Sequence, residues 1–421
     1  MSSSIATNTA TNTNTNSSVA VMSAAVAICT LGGAVVFWQR RKTENYVDDV
    51  GKPLLPPLPT APIGSKFVSL PVSGITLRFT DTASSCSNNI SSNGGDDDDG
   101  DGDGDGDDKN DANAKHKQQV TFLMLHGFLG VLETWDFLTP FLLVDNKGAR
   151  TTNRVVALDM VGCGFSDKPI DGEFDYAYRS QGEIVSEFIS VMGLSNVVIV
   201  GHSSGTVVGA ATAVQKNTIS SNNKDEDEKN VVVGAVFVAG ALFRAKSEFY
   251  CKWWLKPIIR WMLFNITGNR KKSLERMHLP IHADRVLTDE FVENFASQTR
   301  LPNFHDALIG TVMAKEAPYE ELVDELLSLP SSVTSSNKDD DHDHDHAPFP
   351  MLFVWGHQDT HEPLHGKQKE SIRQKLDEMK LQEKIAVIET IELEECHHYP
   401  QHEQPEALAK EILGFVQNNV L

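Results

Sequence analysis

The chain has 421 residues, room for one large domain or two ordinary ones. Lys and Arg total 37 against 58 Asp and Glu, for a net charge of −21. Most of that excess sits in three tracts, at 94–111, 224–229 and 338–345. The rest is only mildly acidic and has no long basic stripe to neutralise phosphates, which argues against nucleic acid as a partner. The five cysteines, Cys29, Cys86, Cys163, Cys251 and Cys396, are scattered and odd in number, with no C-x-x-C spacing. They read as free thiols in a reducing compartment rather than as a disulfide framework or a zinc site.

Residues 1–18 are mostly Ser, Thr, Asn and Ala and form a disordered N-terminus. Residues 19–38 carry no charge and hold Val21, Met22, Val26, Ile28, Leu31, Val35, Val36 and Phe37. At about 1.5 Å per residue, a helix of that length spans a hydrocarbon core. Arg40, Arg41 and Lys42 follow it. A cleaved signal peptide carries its charge before a shorter apolar run. The pattern therefore predicts a single-pass anchor, with the basic stop and all that follows on the cytosolic side. The alternative is a targeting peptide that is later removed. Residues 52–63 are Pro-rich and form a stiff spacer within a linker over 39–64.

Residues 67–80 contain two short β-type runs split by Ser73 and Gly74. A polar, acidic insert at about 84–117 follows, too poor in apolar residues to fold. Its alternating Asp and Gly from Asp101 to Asp107 resembles the start of a calcium loop. The twelfth position, however, is Ala112 rather than Glu, so no metal is expected. The tract holding His342, His344 and His346 reads as a solvated loop. Between these inserts, apolar β-type runs fall at 120–125, 155–158, 197–200, 231–238, 351–355 and 385–391. Amphipathic stretches at 181–191, 204–213, 366–380 and 405–416 separate most of them. Continuous apolar strands alternating with helices predict an α/β fold, a mostly parallel sheet covered by helices on both faces. The rhythm breaks from Leu242 to about Ser336, where a helical insertion is expected. The domain plan is core over 65–241, insertion with its acidic loop over 242–346, and core again over 347–421.

Gly201-His202-Ser203-Ser204-Gly205 follows the run at 197–200 and opens a helix. A turn this tight needs small residues, and it lifts the serine hydroxyl above the sheet at a helix N-terminus. A serine hydroxyl needs a base to take its proton, and the base needs an acid to orient it. Asp359 follows the run at 351–355. His397 and His398 stand side by side near the C-terminus. The chain order is then Ser, Asp, His, each in a loop after a strand.

Four motifs together resemble the α/β-hydrolase family of lidded serine hydrolases over roughly 65–420. His126-Gly127-Phe128-Leu129-Gly130 resembles its oxyanion loop. The stretch from Asp159 through Gly162, Gly164 and Ser166 to Asp167 resembles its D-x-x-G-x-G-x-S-D motif. Gly201 to Gly205 matches its nucleophile elbow, and His398-Tyr399-Pro400 with Glu403 and Pro405 resembles its H-x-P-x-x-E-x-P ending. The resemblance implies Ser203 as nucleophile, Asp359 as acid and His398 as base, with the N–H groups of Phe128 and Ser204 binding the oxyanion. One departure is His397, where the family usually has a small residue. Pro400, two places after His398, selects His398 over His397. His126, Asp159, Gly162, Gly164 and Asp167 read as loop architecture. His202 and His402 read as structural, and His398 with Glu403 is too weak a match for an acyltransferase motif. Relatives of this fold that open epoxides or remove halides carry Asp at the elbow, so a serine there implies acyl transfer to water.

Residues 242–272 lie where the family inserts its lid. They hold Trp253, Trp254 and Trp261 among many apolar side chains, and eight Lys and Arg against only Glu248. A basic, Trp-rich helix suits a membrane interface; the simpler reading is a cover for the cleft, and the two are compatible. The expected function is a membrane-anchored hydrolase of lipophilic carboxylic esters, with no cofactor and no metal. The alternatives are a C–C bond hydrolase or other acyl-transfer enzyme on the same triad, or a catalytically silent binding protein.

Overall fold

In the computed structural model, the described residues are 58–85, 120–144, 151–170, 172–222, 231–240, 242, 248–317, 319–329, 349–359 and 388–421. All but Leu58 belong to one compact unit, Pro59–Leu421. The anchor expected over 19–38, the acidic insert, the His342–His346 tract and the helix expected over 366–380 lie outside the described residues. Among the described residues no helix is long and apolar enough to cross a membrane.

Eight strands form one sheet. They are β1 (Lys66–Ser69), β2 (Thr76–Asp81), β3 (Thr121–Leu125), β4 (Arg154–Leu158), β5 (Val197–His202), β6 (Val232–Val238), β7 (Met351–Gly356) and β8 (Ile388–Leu393). Their order across the sheet is β1-β2-β4-β3-β5-β6-β7-β8. The β1–β2 and β2–β4 pairs are antiparallel and the rest are parallel. This gives the mostly parallel α/β architecture expected from the sequence. Every residue of β3, β5, β6 and β7 is buried, which is why these strands read as unbroken apolar runs. Burying one Val or Leu side chain contributes about 1.5–3 kcal/mol. One face of the sheet packs Leu123, Leu125, Ile199 and Phe237 under the helices Tyr178–Val191 and Gly205–Asn222. The other packs Phe122, Met124, Val200 and Val354 against the C-terminal helix Pro405–Asn419.

The two helices on the first face lie close together at Gly182, where an added Cβ would come within 2.8 Å of Ala211 Cβ. Between β6 and β7 the chain leaves the sheet and forms the helices Lys256–Thr267, Arg270–Glu275, Pro280–Val286, Asp289–Ser297, Phe304–Met313 and Tyr319–Leu327. This is the helical insertion predicted from the broken rhythm. Lys256–Thr267 turns Leu255, Ile259 and Leu263 onto Phe304, Leu308 and Leu129. Its outer face is left in solvent.

Candidate active site

Ser203 sits between β5 and the helix Gly205–Asn222 with φ at +51°, a left-handed conformation that a serine adopts only under constraint. Its N–H donates to the Val238 carbonyl at 2.9 Å. Its carbonyl accepts from Thr206 Oγ1 at 2.6 Å. The flanking glycines are steric requirements. A Cβ on Gly205 would lie 2.4 Å from the Leu125 carbonyl oxygen, and one on Gly201 would lie 2.6 Å from that of Gly205. Gly127 approaches so closely that a Cβ there would lie 3.0 Å from Ser203 Cβ. The loop after β3 therefore reaches the elbow.

The acid and the base meet. His398 Nδ1 donates to Asp359 Oδ2 at 2.9 Å, and the two side chains are 6% and 4% exposed. His397 instead turns its Nδ1 toward the Met277 carbonyl at 3.1 Å. The structure thus places His398, not His397, on the acid. It also ties the His398 loop to the elbow, because His202 Nε2 donates to the His398 carbonyl at 2.8 Å. Burial, reinforced by the neighbouring His398, holds His202 well below the usual histidine range, so it is neutral.

Phe128 and Ser204 line one cleft with Gly127, Met160, Val161, Cys163, Tyr176, Gln181, Val208 and Leu308. The amide N–H groups of Phe128 and Ser204 have no acceptor among the described residues. That of Ser204 stands at the N-terminus of its helix, where the backbone dipoles favour developing negative charge. Burial pushes the Cys163 thiol up to about 12, so it stays protonated and is no nucleophile. Cys163, Cys251 and Cys396 are free thiols, and no metal-binding group occurs among the described residues.

The residues read as architecture act as such. His126 Nδ1 donates to the Gly127 carbonyl at 2.8 Å, and its Nε2 accepts the Met160 N–H at 3.1 Å. Arg78 joins Glu133 and Asp159 in a buried ion cluster. Asp159 Oδ1 and Oδ2 also accept the N–H groups of Leu132 and Phe165. Gly164 is required there, since a Cβ would fall 1.9 Å from Asp159 Oδ2. Asp167 accepts the Thr76 N–H at 2.7 Å. His402 Nε2 donates to the Thr134 carbonyl at 2.9 Å.

The contacts of four supporting residues were not legible in the sequence. His202 braces the base loop. Glu403 accepts the N–H groups of His397, Tyr399 and Leu279, joining that loop to the insertion. Arg270 and Gln298, both from the insertion, donate to the Leu129 carbonyl at 2.8 and 3.1 Å. They hold the loop after β3 where Leu129 adopts a φ of +61°. The available signal was Glu403 in the terminal motif.

The profile of the alpha/beta hydrolase family matches residues 122–411. The uncharacterized hydrolase YugF of Bacillus subtilis is 20% identical over 302 residues, spanning 70% of this chain and 90% of its own length. The 2-hydroxymuconate semialdehyde hydrolase of Pseudomonas putida is 24% identical over 268 residues, spanning 63% of this chain and 77% of its own. The structure of a thermophilic esterase from Thermogutta terrifontis superimposes with a TM-score of 0.50 at 15% identity, covering 85% of this chain and 99% of the other, a likeness of fold alone. With its elbow, its paired acid and base and its cleft, this chain belongs to the α/β hydrolase family and is a hydrolase of that type.

Proposed function

We propose that this protein is a serine hydrolase that cleaves lipophilic carboxylic esters through a covalent acyl-enzyme. The observation that carries the reading is the buried His398–Asp359 pair in a loop bonded to the elbow that presents Ser203. Ser203 Oγ attacks the ester carbonyl while His398 Nε2 takes its proton. Asp359 fixes the tautomer with the proton on Nδ1 and stabilises the imidazolium. The oxyanion forms against the N–H groups of Phe128 and Ser204, each donor contributing about 3–4 kcal/mol to the transition state. His398 then protonates the departing alcohol, and water repeats the cycle on the acyl-enzyme.

A lipophilic substrate is supported by the insertion's outer face. Trp253 is 82% exposed, and Phe249, Tyr250, Trp254, Trp261 and Phe264 are exposed beside it. Lys252, Lys256 and Arg260 lie in the same stretch. Apolar patches of this kind mark binding surfaces, and the basic residues suit an anionic lipid surface. We place this face against a bilayer, with residues 19–38 as the anchor. Replacing Trp253, Trp254 and Trp261 together by Ala is expected to reduce hydrolysis of esters carried in anionic vesicles at least tenfold more than hydrolysis of 4-nitrophenyl butyrate. Equal losses on both substrates would remove the membrane element. No turnover of either ester by the folded wild type would remove the esterase reading.

The Pseudomonas putida relative favours a second reading, hydrolysis of a C–C bond beside a carbonyl. That chemistry on a carboxylate-bearing substrate calls for a cation in the cleft. None of the described residues lining it carries a charge, so a neutral ester is the better fit.

A further inference from the structure

One side chain of the insertion ties together two of the segments that border the cleft. Gln298 opens the one-turn helix Gln298–Arg300 and is 1% exposed. Its Nε2 donates to the Leu129 carbonyl at 3.1 Å, with the Phe295 and Gly130 carbonyls at 3.2 and 3.3 Å. Its Oε1 accepts the Gly164 N–H at 2.8 Å. The amide has only this orientation, because a carbonyl only accepts and a backbone N–H only donates. Leu129 and Gly130 belong to the turn that carries Phe128, closed by the Gly130 N–H on the Gly127 carbonyl at 2.9 Å. Gly164 directly follows Gly162 and Cys163, which line the cleft as Gly127 and Phe128 do.

The two ends of the tie differ. Leu129 is the third residue of its turn and sits at φ +61°, a conformation that glycine accepts and that strains a leucine. Gly164 is a fixed point. It lies at φ +49° so close to the buried Asp159 carboxylate that an added Cβ would fall 1.9 Å from Oδ2. We infer that Gln298 is a positioning residue: it ties the strained Phe128–Leu129 turn to the anchored Gly164 and so fixes where the Phe128 N–H meets the oxyanion. This role rests on the reading of Phe128 and Ser204 as the oxyanion donors. The insertion then completes the site as well as covering it. A displaced oxyanion donor weakens transition-state binding more than substrate binding, so kcat falls while KM holds.

The test uses Gln298→Met, which keeps the length and removes both ends of the tie. Gln298→Ser also removes them, admits water to the freed groups, and serves where the Met variant does not fold. With 4-nitrophenyl butyrate, kcat is expected to fall about 5–100-fold, with KM changed by no more than about twofold. Butylboronic acid forms a tetrahedral adduct on Ser203 Oγ that sets an oxygen where the oxyanion develops, and its affinity is expected to fall by a similar factor. A folded variant with kcat and boronate affinity both within about twofold of wild type overturns the inference. So does a loss confined to KM, or a kcat loss without a matching loss of boronate affinity. Hydrogen exchange read by mass spectrometry follows the tie without turnover. The segment 127–130 is expected to exchange faster in the variants, and a Gly164 amide that exchanges freely in the wild type overturns the inference without recourse to any variant. Faster exchange in the variants of a protein that turns over no ester defeats the ester reading and keeps the tie. Turnover with exchange and kcat unchanged in the variants defeats the tie and keeps the ester reading.

Discussion

His202→Phe isolates the tie between the elbow and the His398 loop. The His202 ring lies 5.0 Å from that of His398 and 4.6 Å from that of Tyr399, centroid to centroid, and a phenyl ring fills the same space. What disappears is the Nε2–H that bonds the His398 carbonyl at 2.8 Å. His202 is 1% exposed, so water is poorly placed to replace that donor. An orphaned buried carbonyl costs about 1–3 kcal/mol. If the whole penalty falls on the placement of His398, kcat drops by about 5–150-fold, since 1.4 kcal/mol is a factor of ten. The assay is steady-state hydrolysis of 4-nitrophenyl butyrate with a thermal melt alongside. The expected result is a lower kcat, little change in KM, and partial recovery in His202→Gln, whose Nε2 can reach the same carbonyl. A His202→Phe enzyme with kcat within twofold of wild type would refute the positioning role, even if its melting temperature fell.

Other outcomes follow from the same contacts. Gly205→Ala drives a Cβ to 2.4 Å from the Leu125 carbonyl oxygen. It is expected to cost at least about 3 kcal/mol, read as a lost or strongly lowered thermal transition by circular dichroism. Arg270 is 5% exposed and, among the described residues, has no carboxylate partner; it bonds the Leu129 carbonyl. Arg270→Met is expected to lower kcat/KM about tenfold or more by loosening the oxyanion loop, while the protein stays folded because a buried cation is removed as well. Burial lowers the pKa of His126, His202 and His402, and that of His278 to about 4, against an ordinary value of 6.5. Each binds fewer protons in the fold than in the unfolded chain. Their contribution is complete above pH 6.5 and declines as the pH falls below it, by up to about 1.4 kcal/mol per pH unit for each ring. Urea titrations at pH 7.5, 6 and 5 should show that decline, and a flat profile would contradict it.

The parallel sheet was legible because its central strands are buried on both faces and so read as apolar runs. The antiparallel β1 and β2 were visible from Ser73 and Gly74, which split them. Helix ends were less clear. The helix Tyr178–Val191 begins three residues before the amphipathic signal, and its N-cap Ala177 offers no side-chain cap to announce it. The helix Gly205–Asn222 runs nine residues past the expected end, through a stretch whose polar residues carry little apolar periodicity. Ser203, Asp359 and His398 could be named from motifs because each follows its own strand. The supporting contacts could not, because the pairs are far apart in the chain: His202 with His398, Arg270 with Leu129, Gln298 with Leu129.

In the proposed chemistry Ser203 is acylated with His398 as its base. Intact-mass spectrometry after treatment with a fluorophosphonate tests it most directly. The expected result is one adduct on the wild type, mapped to Ser203 by peptide digestion, none on Ser203→Ala and at least about hundredfold slower labelling of His398→Ala, on the order of the contribution of a positioned general base. A folded wild type that takes no label, or one whose label persists in Ser203→Ala, would contradict it.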